Sequence, residues 1–358
     1  MTAPRLDVDL GKVAHNARTL VDRLATKGIR VTGVTKAALG SAEIAAAFLE
    51  GGVSGLGDSR VANLERLQAG GLATPLTLVR TPMLSQVEAV VRNADTSLNS
   101  EAVVLEALAT AAVKQGTTHA VVLMVELGDL REGVLSGDLV DLARSVAQRR
   151  GLTLAGIGTN LACQSGVVPD QQKMDELTRL VEQVETACEV TLSVVSGGNS
   201  ANLDWALSTD DVGRVDELRL GEAILLGTEP LHRRVVDGLH TDAFTLVAEV
   251  IELQDKPAQP WGEIAQGTFG DAAPRPGTGT LRQAILAVGR QDVDHEGVTP
   301  PAGTTVLGMS SDHLVLDVGD VDVSVGDEVA FQLGYGALVR AMTSPYVTEV
   351  LRPATDAL

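Results

Sequence analysis

A chain of 358 residues, 44% hydrophobic and with 37 glycines, is long for one ordinary domain and suits an α/β barrel with an added domain. Its formal net charge of −19 argues against nucleic acid and membrane surfaces as partners, since both call for clustered Lys and Arg. Two cysteines, Cys163 and Cys188, make no disulfide framework; the opening Met1–Asp9 has no apolar signal segment and no run approaches ~18 apolar residues, so a cytoplasmic protein is expected.

After an opening strand at Arg5–Asp9, Val13, Ala17, Leu20, Val21 and Leu24 recur at helical spacing. Strand-like and helix-like runs then alternate. The strands are Val31–Lys36, Val53–Gly57, Pro75–Arg80, Thr96–Leu98, Ala120–Glu126, Leu154–Thr159, Leu192–Ser196 and Glu217–Gly227. Helical stretches fall between them at Ser41–Glu50, Arg60–Ala69, Ser85–Arg92, Glu101–Gln115, Leu139–Arg150, Gln171–Glu189 and Ala201–Ser208. Eight strands with crossover helices predict a closed (β/α)₈ barrel rather than an open sheet. The pattern changes near His240. Strand-like runs at Phe244–Leu253, Ala284–Val288, Thr305–Leu307, His313–Val318 and Glu328–Leu333, with Gly, Pro and Asp between them, predict a separate β domain. Between Asp255 and Gly279, Pro257, Pro260, Pro274 and Pro276 mark a long loop, functional or disordered.

In a parallel barrel the chemistry sits at the C-terminal strand ends. The first of these runs, Val31-Thr32-Gly33-Val34-Thr35-Lys36, ends on a lysine, which when partly desolvated forms a Schiff base with a carbonyl. The seventh ends in Ser196-Gly197-Gly198-Asn199-Ser200 before a helix. Glycines there let backbone N–H groups approach an anion, and a Ser-capped helix start binds phosphate. The eighth reads Leu218-Arg219-Leu220-Gly221-Glu222. Barrels commonly bind phosphate after strands seven and eight, so with Lys36 the combination suggests an aldehyde-bearing phosphate cofactor, pyridoxal 5′-phosphate. Arg219, inward at the mouth, either pairs with Glu222 or Asp216 or faces the pyridine nitrogen. In the second case it supplies no carboxylate to keep that nitrogen protonated, and the weaker electron sink favours a simple proton swap.

Val34-Thr35-Lys36, Gly57-Asp58-Ser59-Arg60, Val125 to Gly133, Gly158 to Cys163, Ser196 to Ser200 and Arg219 to Glu222 together resemble the alanine racemase-type pyridoxal phosphate family, most closely its ornithine/alanine racemase-like branch. The resemblance covers nearly the whole chain and implies a TIM-type barrel over residues 1–239 and a mostly-β domain over 240–358. It implies Lys36 as the Schiff-base lysine and one of two proton-transfer bases. Arg131 matches an arginine near the substrate or that lysine, and Asn160 stands where alanine racemases carry a histidine beside the ring. Ser200 with the backbone at Gly221 and Glu222 would hold the phosphate, and Arg219 the ring nitrogen. Tyr346 would reach the partner's cofactor in a head-to-tail homodimer.

The family's Gly-Tyr-Gly segment corresponds to Gly267-Thr268-Phe269-Gly270, so Phe269 replaces the proton-transferring tyrosine and the second base falls among Tyr335, Tyr346 and Cys163. Leu39-Gly40 replace the phosphate-binding tyrosine after the lysine. Ser310 to Leu314 resembles a metal-binding histidine segment of D-threonine aldolases, but His313 lacks a second ligand, and no metal is expected. The resemblance implies an isomerase, a racemase interconverting L- and D-forms of an amino acid, either a basic one (ornithine, lysine) or alanine. The alternatives are a D-threonine aldolase-like lyase and a non-enzymatic pyridoxal phosphate-binding homeostasis protein.

Overall fold

The computed structural model describes residues 2–270 and 277–353; Pro274 and Pro276 of the long loop lie outside them. The described residues fall into two compact units, Lys12–His240 and a second made of those up to Gly11 with those from Thr241 on.

The strand β1 is Arg5–Asp9 and the helix α1 Leu10–Ala25. The barrel strands are β2 Arg30–Val34, β3 Gly55–Asp58, β4 Leu76–Leu78, β5 Thr96–Asn99, β6 His119–Met124, β7 Leu152–Gly158, β8 Val194–Ser196 and β9 Glu217–Leu220. All neighbours are parallel, and β9 closes on β2 in register from Arg30↔Glu217 to Gly33↔Leu220. The helices between them are α2 Ala42–Glu50, α3 Val61–Ala69, α4 Val87–Asn93, α5 Ala102–Lys114, α6 Leu139–Ala147, α7 Gln171–Cys188, α8 Leu203–Ser208 and α9 Glu222–Leu226. α7 shows why such sequences fold this way. The Asp170 side chain caps it by accepting the Lys173 N–H at 2.9 Å, and Met174, Leu177, Leu180, Val181 and Val184 recur on one buried face. Close contact of helix and strand needs Gly33 in β2, where a Cβ would stand 2.4 Å from the buried Phe48 ring of α2.

The run Glu217–Gly227 is not one strand. The strand stops at Leu220, and Leu225 N–H to the Gly221 carbonyl at 3.0 Å and Gly227 N–H to Ala223 at 3.0 Å make the rest helical. Its residues Ala223 to Leu226 are all buried, so no polar face betrays the helical period.

The second unit is built on the 14-residue strand β10, Phe244–Pro257, which pairs antiparallel with β1, with β11 Thr280–Leu286 and with β15 Glu328–Leu333. The sheet is completed by β12 Val298–Thr299, β13 Thr305–Met309, β14 Leu314–Asp317 and β16 Thr348–Arg352, the last parallel to β1. The opening strand thus belongs to this unit and not to the barrel segment 1–239, because β10 and β16 satisfy its backbone on both sides. A helix absent from the sequence reading, α10, spans Tyr335–Thr343 with Ala337, Leu338, Ala341 and Met342 buried.

One polar cluster is buried in the barrel wall. His119 Nε2 lies 2.8 Å from Ser97 Oγ, which also accepts from Asn99 Nδ2 at 3.0 Å; Asn99 Oδ1 has no partner among the described residues. Desolvation pushes the imidazole pKa down to about 4. The folded protein therefore keeps His119 neutral while the unfolded chain takes up a proton below its ordinary 6.5. Stability is full above that value and falls between about 6.5 and about 4. Urea unfolding at pH 7 and pH 5 should differ by about 2 kcal/mol from this group, and His119→Gln should remove that part of the difference. An identical pH response in the variant refutes the assignment.

Candidate active site

The sequence-predicted residues of the barrel unit converge at the C-terminal strand ends. Lys36 opens a short 3-10 turn, Lys36–Ala38, directly after β2, with its side chain exposed. Hydrogen bonds flank its backbone on both sides. Thr35 is fully buried, and its hydroxyl donates to Asp58 Oδ2 at 2.8 Å. Asp58 also accepts the Arg60 N–H at 2.9 Å and Asn63 Nδ2 at 3.0 Å. Desolvation pushes the Asp58 carboxyl up against the pull of these donors. On the far side of the turn, Arg66 donates to the Leu39 carbonyl.

Next to this turn lies the start of α9. A Cβ on Gly221 would come within 3.1 Å of the Val34 carbonyl oxygen, so the β9–α9 turn lies close against the end of β2 and a larger residue there would have to push the two apart slightly. Glu222 pairs with Arg233, and burial raises its carboxyl above the usual range, opposed by the charges of Arg233 and Lys36. Ser200, buried, accepts the Ala223 N–H at 3.3 Å. It does not cap the chain's turn into α8. Asn199 caps the 3-10 turn Ser200–Asn202 that precedes α8, accepting the Ala201 N–H at 2.7 Å while its own backbone N–H donates to Asn202 Oδ1 at 3.2 Å. The Ser200 hydroxyl instead faces the first turn of α9, so the loops after strands seven and eight share one corner.

Arg219 is 5% exposed. It donates to Ser196 Oγ, to the Thr159 carbonyl at 2.9 Å and to Asn160 Oδ1 at 3.4 Å, all of them uncharged. The ion pairs open to it in sequence are taken by others, Glu222 by Arg233 and Asp216 by Arg30. Desolvation lowers its pKa below the ordinary arginine value. Asn160 Oδ1 also accepts from Asn199 Nδ2 at 3.1 Å, and Asn199 Nδ2 reaches Cys163 Sγ at 3.4 Å. Arg131 forms a two-point pair with Glu132, which raises its pKa against desolvation, with Cys163 adding to the rise. Thr159, Ser196 and Asn199 were not foreseen as partners; only the small polar residues ending β7 and β8 signalled them.

Tyr346 lies in the other unit, after α10, and is 69% exposed; its N–H bonds to Ser344 Oγ at 3.2 Å. Tyr335 opens α10, and Phe269 stacks over the Arg290 guanidinium at 4.8 Å. His313 is exposed in the turn before β14.

The arrangement suits pyridoxal 5′-phosphate. Asn160 Nδ2 is buried without a hydrogen-bond partner among the described residues, beside a desolvated guanidinium whose partners are neutral. A ring acceptor placed at this corner would satisfy that amide. Lys36, the Ser200 hydroxyl and the start of α9 supply an amine and phosphate donors nearby.

Comparison with known proteins identifies the family. The family model for the alanine racemase N-terminal domain matches residues 8–230. The chain belongs to that family. It is 37% identical to a lysine racemase from Thermotoga maritima, over 99% of this chain and 100% of that one. It is 36% identical to an ornithine racemase from Acetoanaerobium sticklandii, over 97% and 99% respectively. The fold matches an alanine racemase structure from Streptomyces lavendulae with a TM-score of 0.74 at 20% identity, covering 98% of each chain. These relatives make the protein an amino-acid racemase, an isomerase.

Proposed function

We propose that this racemase acts on a basic amino acid, lysine or ornithine, with pyridoxal 5′-phosphate held at the barrel mouth. The observation that carries the substrate is the likeness to a lysine racemase and an ornithine racemase along essentially the entire chain. The observation that supports the cofactor is the corner of Arg219, Asn160, Ser200 and Lys36. The cofactor, when bound, draws electrons from the substrate Cα and makes its hydrogen acidic. Lys36 would hold the cofactor through its amine and carry the Cα proton on one face. Arg219, Asn160, Ser200 and the backbone of Gly221 and Glu222 would orient the ring and phosphate, while Arg131 would meet the substrate. The second proton carrier is one of Cys163, Tyr335 and Tyr346. Cys163 sits on the segment after β7, three strands around an eight-strand ring from Lys36. A cytoplasmic, head-to-tail homodimer with Tyr346 completing the partner's site belongs to the same proposal.

The test is chiral chromatography after incubating the cofactor-loaded protein with L-lysine, L-ornithine and L-alanine separately. D-lysine or D-ornithine should form with a kcat/KM about 10⁴-fold above that for alanine, the scale on which a site that hydrogen-bonds a polar end group rejects an analogue lacking it. Alanine turned over fastest overturns the substrate assignment. An absorbance spectrum without a cofactor band, even after pyridoxal phosphate is added, overturns the cofactor.

A further inference from the structure

Asp129 lies in the loop between β6 and α6, yet its side chain is fully buried. Its carboxylate is enclosed by the backbone of a different loop. Oδ2 accepts the N–H groups of Cys163 at 3.1 Å and Gln164 at 2.9 Å, and Oδ1 those of Ser165 at 3.0 Å and Val167 at 3.5 Å. The Asp129 carbonyl accepts the Ser165 hydroxyl at 2.7 Å. One acidic residue thus joins the segment after β6 to the segment after β7.

Backbone strain stands on both sides of this clamp. Leu130 has φ +56° and Ala162 has φ +63°, a region that disfavours any residue with a Cβ. Leu130 is 76% exposed, so no burial of its side chain accounts for the conformation. Such strain persists where surrounding bonds over-determine it. Each strained residue also adjoins a site residue: Arg131 follows Leu130, and Ala162 lies between Asn160 and Cys163.

The barrel does not need the clamp. β6 and β7 pair in parallel from His119↔Leu152 to Met124↔Gly158, with one register shift between Val121 and Val122. The base of the first loop is closed separately, by Val134 N–H to the Met124 carbonyl at 2.9 Å and Glu126 N–H to Val134 at 2.9 Å. What the Asp129 carboxylate fixes is the relative placement of the two loops.

We propose that Asp129 is a positioning residue that locks these loops so that Arg131 and Asn160 meet the substrate and cofactor in one arrangement. The proposal rests on the reading of Arg131 and Asn160 as site residues. In Asp129→Asn the side chain keeps its size, but an NH₂ group is turned toward backbone N–H donors, so the clamp opens.

The experiment uses the cofactor-loaded full chain carrying Cys188→Ser, so that Cys163 alone reports on the second loop. Asp129→Asn should raise the rate of Cys163 labelling by a disulfide reagent severalfold. It should lower kcat by about 10- to 100-fold, the scale of a misplaced positioning group, with KM changed less. Adding Leu130→Gly, which removes the left-handed penalty at that turn, should recover part of kcat. Faster labelling with kcat within twofold of the parent makes the clamp structural only and overturns the proposal, as does unchanged labelling. Arg131→Ala is measured alongside: racemisation unaffected by that change brings down the site reading itself, independently of how Asp129→Asn behaves.

Discussion

Lys36→Ala should lower racemisation by at least about 100-fold, the lower end of what a positioned acid–base group contributes. The protein stays folded. The side chain is exposed at the mouth, and substitutions at such places move stability by only about 0.5 kcal/mol. The turn that carries it is held by neighbours that the substitution leaves alone, Thr35 on Asp58 and Arg66 on the Leu39 carbonyl. Loss of rate therefore reports on chemistry. Time courses by chiral chromatography, run beside urea unfolding of the same preparation, separate the two. Borohydride reduction of the parent followed by peptide mapping should place the reduced adduct on Lys36. Racemisation retained above about 1% of the parent rate is more than a missing acid–base group allows, and it removes Lys36 from the mechanism.

Which parts of this site were legible in the sequence follows from the range of the forces that build them. The eight barrel strands were readable because strands covered on both faces become short apolar runs, and Lys36 stood out as a charge ending one of them. Arg219 was readable for the same reason, a charge inside an apolar run. The helix at Glu222–Leu226 was not, since a buried five-residue helix has no polar face to set its period. The sharing of one sheet by β1, β10 and β16 depends on partners far apart in the chain, as in Leu6↔Leu246 and Leu6↔Glu349. In α10 the helical spacing of Ala337, Leu338, Ala341 and Met342 is present but short, and strands border it on both sides. Asp58 and Asp129 lie in stretches that carry the resemblance, but nothing in the sequence names their partners. Asp129 is held by backbone N–H groups, which every residue but proline provides, and Asp58 by one such group with side chains from Thr35 and Asn63. Placing Asn199 rather than Ser200 at the cap has the same root, because either side chain suits the position and only the fold decides between them.

Arg219→Leu should separate what this arginine does for the fold from what it does for the reaction. Two effects oppose each other in stability. Desolvation already disfavours the charged guanidinium, and removing it relieves that penalty. Against this, the Thr159 carbonyl and the Ser196 hydroxyl lose their donor, at about 1–3 kcal/mol for each buried group left unpaired. Asn160 Oδ1 keeps the Asn199 amide at 3.1 Å and loses less. The net change should stay within about 3 kcal/mol, well below the loss of a whole core contact network. Catalysis has no such compensation. An oriented donor facing the reacting group is worth about 10²- to 10³-fold in kcat, and leucine offers none, so kcat should fall on that scale and cofactor should be lost more readily on dialysis. Denaturant unfolding, cofactor retention and kcat on one preparation decide the matter. A variant that unfolds far more easily while its folded fraction keeps full kcat makes Arg219 a structural residue. A stable variant with depleted cofactor and low kcat assigns the buried charge to cofactor binding.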